Sequence, residues 1–136
     1  MAIIAPVRYP VFEIRVVDGD TLAGWVEVAR HCRLYRRVRL VHVEGGELPS
    51  QEGLRAQAFL SQQLANLGGD GWWVVGNEAS VDKYGRWVAD LASPACPSLV
   101  ALLLRSGVYW RRDRTGREFR GVPVPDSILS GLPDGA

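Results

Sequence analysis

Over residues 11–16 apolar and polar side chains alternate: Phe12, Ile14 and Val16 occupy every second position against Val11, Glu13 and Arg15, the period of a half-buried strand. The run ends in Asp18-Gly19-Asp20-Thr21, a turn signal. Over residues 22–28 the same period puts Leu22, Gly24, Val26 and Val28 on one face, and residues 33–43 read as a third strand, so the sheet begins as a meander. Within VRLVHVEGGE, residues 38–47, Arg39 shares a face with Val41 and Val43 while Val38 and Leu40 lie opposite. Two apolar faces imply a strand covered on both sides. A guanidinium there must reach water or meet an anion, because it cannot shed its proton. The plain reading is a structural ion pair with Glu44 or Glu47.

Beyond Gly45-Gly46 the period changes. Pro49-Ser50 reads as a helix start, Ala56, Leu60, Leu64 and Leu67 fall at helical spacing, and Gly68-Gly69 closes the segment. Residues 72–76 and 86–91 return to strand patterns, with Lys83-Tyr84-Gly85 at the connecting turn, and Pro97-Ser98 opens a short apolar helix that Gly107 ends. Five strands, a helix between the third and fourth and a short helix after the fifth predict a mainly β chain with helices, of the α+β class. The matching architecture is a five-stranded Greek-key barrel of the OB type. Residues 8–120 make that domain. Residues 121–136, rich in proline and glycine, read as a loose tail. No internal repeat is present.

Composition narrows the class. A chain of 136 residues suits one domain with one core, and 47% apolar with 23% charged residues describes an ordinary water-soluble globule. No apolar stretch approaches a membrane span. The opening MAIIAPVRYP has too short an apolar run, broken by Pro6, for a secretory signal, so the cytoplasm is the default compartment; a secreted or periplasmic location requires a removed leader. Cys32 and Cys96 lack metal-ligand spacing and His31 and His42 form no cluster, which argues against zinc; both thiols read as plain buried residues. Net charge is +1, yet Arg30, Arg33, Arg36, Arg37 and Arg39 crowd one segment and Arg105, Arg111, Arg112, Arg114, Arg117 and Arg120 another. Such clusters suit either a polyanion partner or a solvated surface. Lys83 is the only lysine among the 16 basic residues, so its position asks for something other than generic charge.

Three segments then matter together: VVDGDTL, VRLVHVEGGE and VDKYGRW, in that order and with the helix between the second and third. Over roughly residues 10–112 the chain resembles the thermonuclease family, the staphylococcal-nuclease-like domains. The resemblance implies a Ca²⁺-dependent endonuclease that cuts single-stranded DNA, with RNA as a second candidate, at low sequence specificity, attacking from the 5′ side and leaving a 3′-phosphate and a 5′-hydroxyl. By the same resemblance Asp20 and Glu44 are calcium ligands with a backbone carbonyl at Gly45. Arg39 and Arg86 bind the scissile phosphate, Glu47 is the general base, and Lys83 and Tyr84 lie at the nucleotide end. The residue types suit the chemistry. Two guanidiniums neutralise the charge gathering on the phosphate with forked hydrogen bonds, a hard cation takes carboxylate oxygens, and a glutamate accepts the water's proton.

Two departures from the family's usual V-R-L-x-x-I-D-x-P-E bear on the site. Glu44 is one methylene longer than the usual aspartate, and Gly46 replaces a proline, which adds entropy to be lost when Glu47 is ordered. The tail is also poor in helix formers, where the family's type member has a third helix. The rival expectation is a module of the same fold that holds nucleic acid or a protein without cutting.

Overall fold

Three antiparallel strands open the chain in this computed structural model, which describes residues 7–67, 71–113 and 117–120. They are β1 (Val7–Asp18), β2 (Thr21–Ala29) and β3 (Cys32–Leu40), joined by tight turns as the meander pattern predicts. Then come β4 (Val43–Glu44), the helix α1 (Gln51–Asn66), β5 (Trp73–Val81) and β6 (Trp87–Ala92). The helix α2 (Leu99–Arg105) and the short strands β7 (Trp110–Arg112) and β8 (Glu118–Phe119) follow. Strands β1, β2, β3, β6 and β5 close into a barrel in that order, with β5 returning to β1 and β3 parallel to β6. Closure pairs every neighbour and leaves the barrel no free edge. Among the described residues the chain is thus mainly β, a closed five-stranded barrel with two helices. No described helix is long and apolar enough to cross a membrane.

Leu22, Val26, Val38, Leu40, Val74 and Leu91 fill the barrel core, and α1 and α2 add Leu60, Leu99 and Leu103. Each helix begins at a serine. Ser50 accepts a hydrogen bond from the Gly53 N–H at 3.0 Å, and Ser98 accepts one from Ala101 at 3.1 Å. Ser98 in turn donates to buried Asp90 on β6, whose other oxygen accepts from the Leu91 and Val100 N–H groups at 2.7 and 3.0 Å. Burial still pushes the Asp90 carboxyl up to about 6, outweighing those hydrogen bonds.

Four expectations change. The third strand ends at Leu40 rather than residue 43, because His42 turns the chain at φ 65° before β4 begins. In β1 the simple alternation fails: Val11 is buried and Phe12 exposed, while Ile14 and Val16 are half-buried. A bulge between Phe12 and Arg15, with Glu13 at φ 55°, shifts the phase by one residue. A second sheet, β4-β7-β8, follows from runs of two and three residues, too short for any period to register. Cys32, read as buried, is exposed where β3 leaves the hairpin turn; Cys96 is buried and both thiols are free. The expected tail at 121–136, the Gly68-Gly69 stop and Arg114 lie outside the described residues.

A candidate active-site cleft

Small residues let two carboxylate-bearing loops settle on α1. A Cβ on Gly19 would stand 2.5 Å from the Ala56 Cβ, and one on Gly45 would stand 2.6 Å from the same atom and 2.9 Å from the Tyr109 ring. A Cβ on Gly53 would strike the Glu47 carbonyl oxygen at 2.5 Å. Glycine at these contacts therefore brings the Asp18-Gly19-Asp20 turn and the Glu44-to-Glu47 loop onto one helix face. Buried Tyr109 fastens the arrangement: its hydroxyl donates to the carbonyl oxygens of Gly19 and, at 2.9 Å, of Ala56. Burial, with the nearby Asp20 and Asp18 charges, raises the Tyr109 hydroxyl above the usual phenol range, which keeps it a donor.

Above this knot opens a cleft of about 680 Å³. On its floor the Arg39 guanidinium lies 3.4 Å from Asp20 Oδ2 and 3.2 Å from Glu44 Oε2, and it donates to the Leu40 carbonyl at 2.7 Å. The ion pair expected of Arg39 is therefore made with Glu44 and Asp20. Glu44 is held at its other oxygen by the Gly46 N–H at 3.2 Å, and Arg112 approaches it at 3.4 Å from β7. Register explains the meeting: Glu44 pairs with Trp110 across β4 and β7, and Thr21 pairs with Arg39 across β2 and β3. Burial raises Asp20 to about 8; a hydrogen bond with Asp18 and the charges of Asp18 and Glu44 act in the same direction, against Arg39.

At the turn before β6 Arg86 is anchored by Asp82 at 2.7 Å and reaches Thr21 Oγ1 at 3.3 Å. Burial pushes the Asp82 carboxyl up, but hydrogen bonds from Arg86 and from the Tyr84 N–H outweigh it and hold the group below the ordinary carboxylate range. Tyr84, 62% exposed, carries Lys83 at 5.1 Å and Arg86 at 5.2 Å from its ring centre. Glu47 lines the rim and is exposed.

Asp20, Arg39, Glu44, Glu47, Lys83, Tyr84 and Arg86 all line this one cleft; Gly45 does not, since it is packed beneath the wall against Ala56 and Tyr109. Thr21 escaped the sequence reading although it stands in the quoted D-G-D-T. Its hydroxyl donates to Asp20 Oδ1 at 3.2 Å and accepts from Arg86, which links the two halves of the site. Arg112 and Tyr109 were also missed, the first among many arginines and the second outside every motif. No protein-family model matches the chain and no curated protein compared with it matches, so the chemistry rests on this geometry.

The side chains that meet at Arg39, Asp20 and Glu44, offer hard oxygen donors. Among the described residues no group of three or more His, Cys, Asp and Glu side chains forms a preassembled metal cage. Asp20 and Glu44, however, meet at one guanidinium with Asp18 beside them, and Asp20 is raised chiefly because it is buried, with the Asp18 and Glu44 charges adding to that. Two carboxylates with water and phosphate oxygens completing the shell fit calcium, which takes flexible oxygen coordination, and fit zinc poorly.

Proposed function

We propose that the chain is a calcium-dependent phosphodiesterase of the thermonuclease type, an endonuclease acting on single-stranded DNA, with RNA as a second substrate, on an OB-type Greek-key barrel. The observation that carries the reading is the joint presence in one cleft of Asp20, Glu44 and Glu47 with Arg39 and Arg86. Scattered surface charges have no reason to converge from the β1–β2 turn, β3, β4 with its following loop, and the turn before β6.

The roles follow from chemistry. Arg39 and Arg86, which line the same cleft, present forked donors to the phosphate, where charge grows as the water attacks. Asp82 keeps Arg86 aimed, and Thr21 links it to Asp20. Glu47, at the rim and free of the buried pair, takes the proton from the attacking water. Asp20 and Glu44 would hold the calcium ion, which when bound would supply Lewis-acid polarisation of the phosphate. Lys83 and Tyr84 sit where the nucleotide leaves the cleft.

The decisive experiment incubates purified protein with denatured DNA in calcium and in excess EGTA. Calcium-dependent fragments bearing 3′-phosphates are expected. Cleavage unaffected by EGTA removes the metal, and binding without cleavage under both conditions assigns the fold to a non-catalytic nucleic-acid module.

A further inference from the structure

Rows of side chains on one face of β1, β2 and β3 lead away from the cleft. Strand register pairs Asp18 with Thr21 and Thr21 with Arg39, a row within the site. The next row is Arg15, Ala23 and Arg37, and the one after it Phe12, Trp25 and Tyr35. Residues 12, 15 and 18 would alternate between faces in a regular strand. They share one here because a register shift lies between Phe12 and Arg15 and another between Val16 and Asp18. Gly24 gives the first bulge its room: a Cβ there would meet the Val11 side chain at 2.9 Å and the Phe12 carbonyl oxygen at 3.0 Å.

The outer row is in water. Phe12 is 37% exposed, Trp25 40% and Tyr35 47%. The Trp25 and Tyr35 rings stand 5.2 Å apart, and the Arg33 guanidinium lies 4.0 Å from the centre of the Phe12 ring. In the middle row Ala23 is buried between exposed Arg15 and Arg37, so the face is shallow there with a cation on each side. Aromatic rings gathered on an open sheet call for a covering partner. An apolar protein surface does not explain the two arginines between the rings and the cleft. A polymer with both planar bases and phosphates explains them, since bases stack on aromatic rings and guanidiniums meet the backbone. Along β3, Tyr35 is about 13 Å from Arg39 at roughly 3.3 Å per residue, within reach of one continuous strand.

From this arrangement we infer that the outer face of β1, β2 and β3 is an exosite for single-stranded nucleic acid. It stacks bases on Phe12, Trp25 and Tyr35 and takes phosphates on Arg15 and Arg37. The inference rests on the phosphodiesterase reading only for where the strand's other end lies.

The test measures binding by the full chain in chelator, so that the strand is not cut. Fluorescein-labelled oligothymidylate of about 12 nucleotides, a span suited to one such barrel, is compared by anisotropy with an abasic strand of equal length. The thymidylate is expected to bind at least about tenfold more tightly. Trp25→Ala and Tyr35→Ala, both surface changes, each remove most of that advantage, and Arg15→Gln with Arg37→Gln weakens both strands and flattens the salt dependence. Equal affinity of the wild type for the two strands overturns the exosite, as does wild-type binding by Trp25→Ala. A Trp25→Ala change confined to sedimentation also overturns it and gives the face to a second copy of the chain. Cleavage is read separately: base-dependent binding without calcium-dependent cleavage keeps the exosite and removes the phosphodiesterase, and cleavage without base-dependent binding does the reverse.

Discussion

Arg39 meets three oxygen-bearing partners at once, Asp20, Glu44 and the Leu40 carbonyl, from a nearly buried position. An ammonium is a point charge on a flexible stem and cannot span them. Arg39→Lys should therefore lower turnover on denatured DNA by roughly 10² or more, the scale of a lost transition-state donor; near-wild-type turnover in steady-state assays would remove the guanidinium from the mechanism. Glu44 is the second test. Its length lets one oxygen reach Arg39 while the other accepts from the Gly46 N–H, and Gly46 sits at φ 93°, a conformation closed to the proline usual there in the thermonuclease pattern that the sequence resembles. The loop is therefore built around a glutamate. Glu44→Asp should keep the calcium requirement but weaken apparent calcium affinity, and Glu44→Gln should be worse for want of charge; a calcium titration giving tighter binding in Glu44→Asp would contradict this. Single residues were legible where a motif named them, as for Asp20, Arg39, Glu44 and Arg86. Arg112 and Tyr109 were not, because their roles come from strand register and from burial, which no local pattern encodes.

At the scale of elements, period announced the barrel strands and both helices, since each runs long enough to repeat its pattern; Gly19, Ser50, Gly85 and Ser98 mark some of the boundaries, whereas Arg30-His31 turns β2 into β3 with no serine, glycine or proline. The bulges in β1 and the strands β4, β7 and β8 escaped because one inserted residue, or two in a row, leaves no periodic trace. Two contacts between elements can be tested. Tyr109→Phe removes the donor shared by the Gly19 and Ala56 carbonyls and leaves both without it in a buried place. It should cost about 1–3 kcal/mol in denaturant unfolding, and weaken apparent calcium affinity as the Asp18-Gly19-Asp20 turn loosens from α1. Asp90, between β6 and α2, supplies a pH dependence. Its folded-state value of about 6 stands above the ordinary 3.8, so its contribution to stability is fully present below about pH 4 and is lost as pH rises through 6. Asp90→Asn lacks that titration. Relative to the wild type it should gain stability between pH 4 and pH 7, on the order of 3 kcal/mol for a shift of about two units. Parallel unfolding profiles for the two proteins across that range would show that Asp90 titrates in the fold where it titrates in the unfolded chain.

For the whole molecule, a net charge of +1 conceals a division of labour. Carboxylates gather on the floor of the cleft with Arg39, while Lys83, Arg86 and Arg112 stand around them and Tyr84 offers its ring at the rim. On the proposed function a polyanion would be drawn to the rim by these cations, and the carboxylates below would accept the phosphate only with a counter-charge between, which is what the proposed calcium requirement would express physically. The same proposal favours an unpaired strand. A base can lie on Tyr84 only if it has left its own stack, and a duplex must fray before it presents one, paying unpairing and unstacking free energy of about 1.4 kcal/mol per base-pair step. Denatured DNA should therefore be cut faster than duplex, with the gap widening as temperature falls and fraying is suppressed. Initial rates on a hairpin-closed duplex and on its unpaired counterpart, measured over a temperature series in calcium, check this directly. Equal rates on the two at the lowest temperature would mean that the strand enters without an exposed base, and Tyr84 would lose its part in binding.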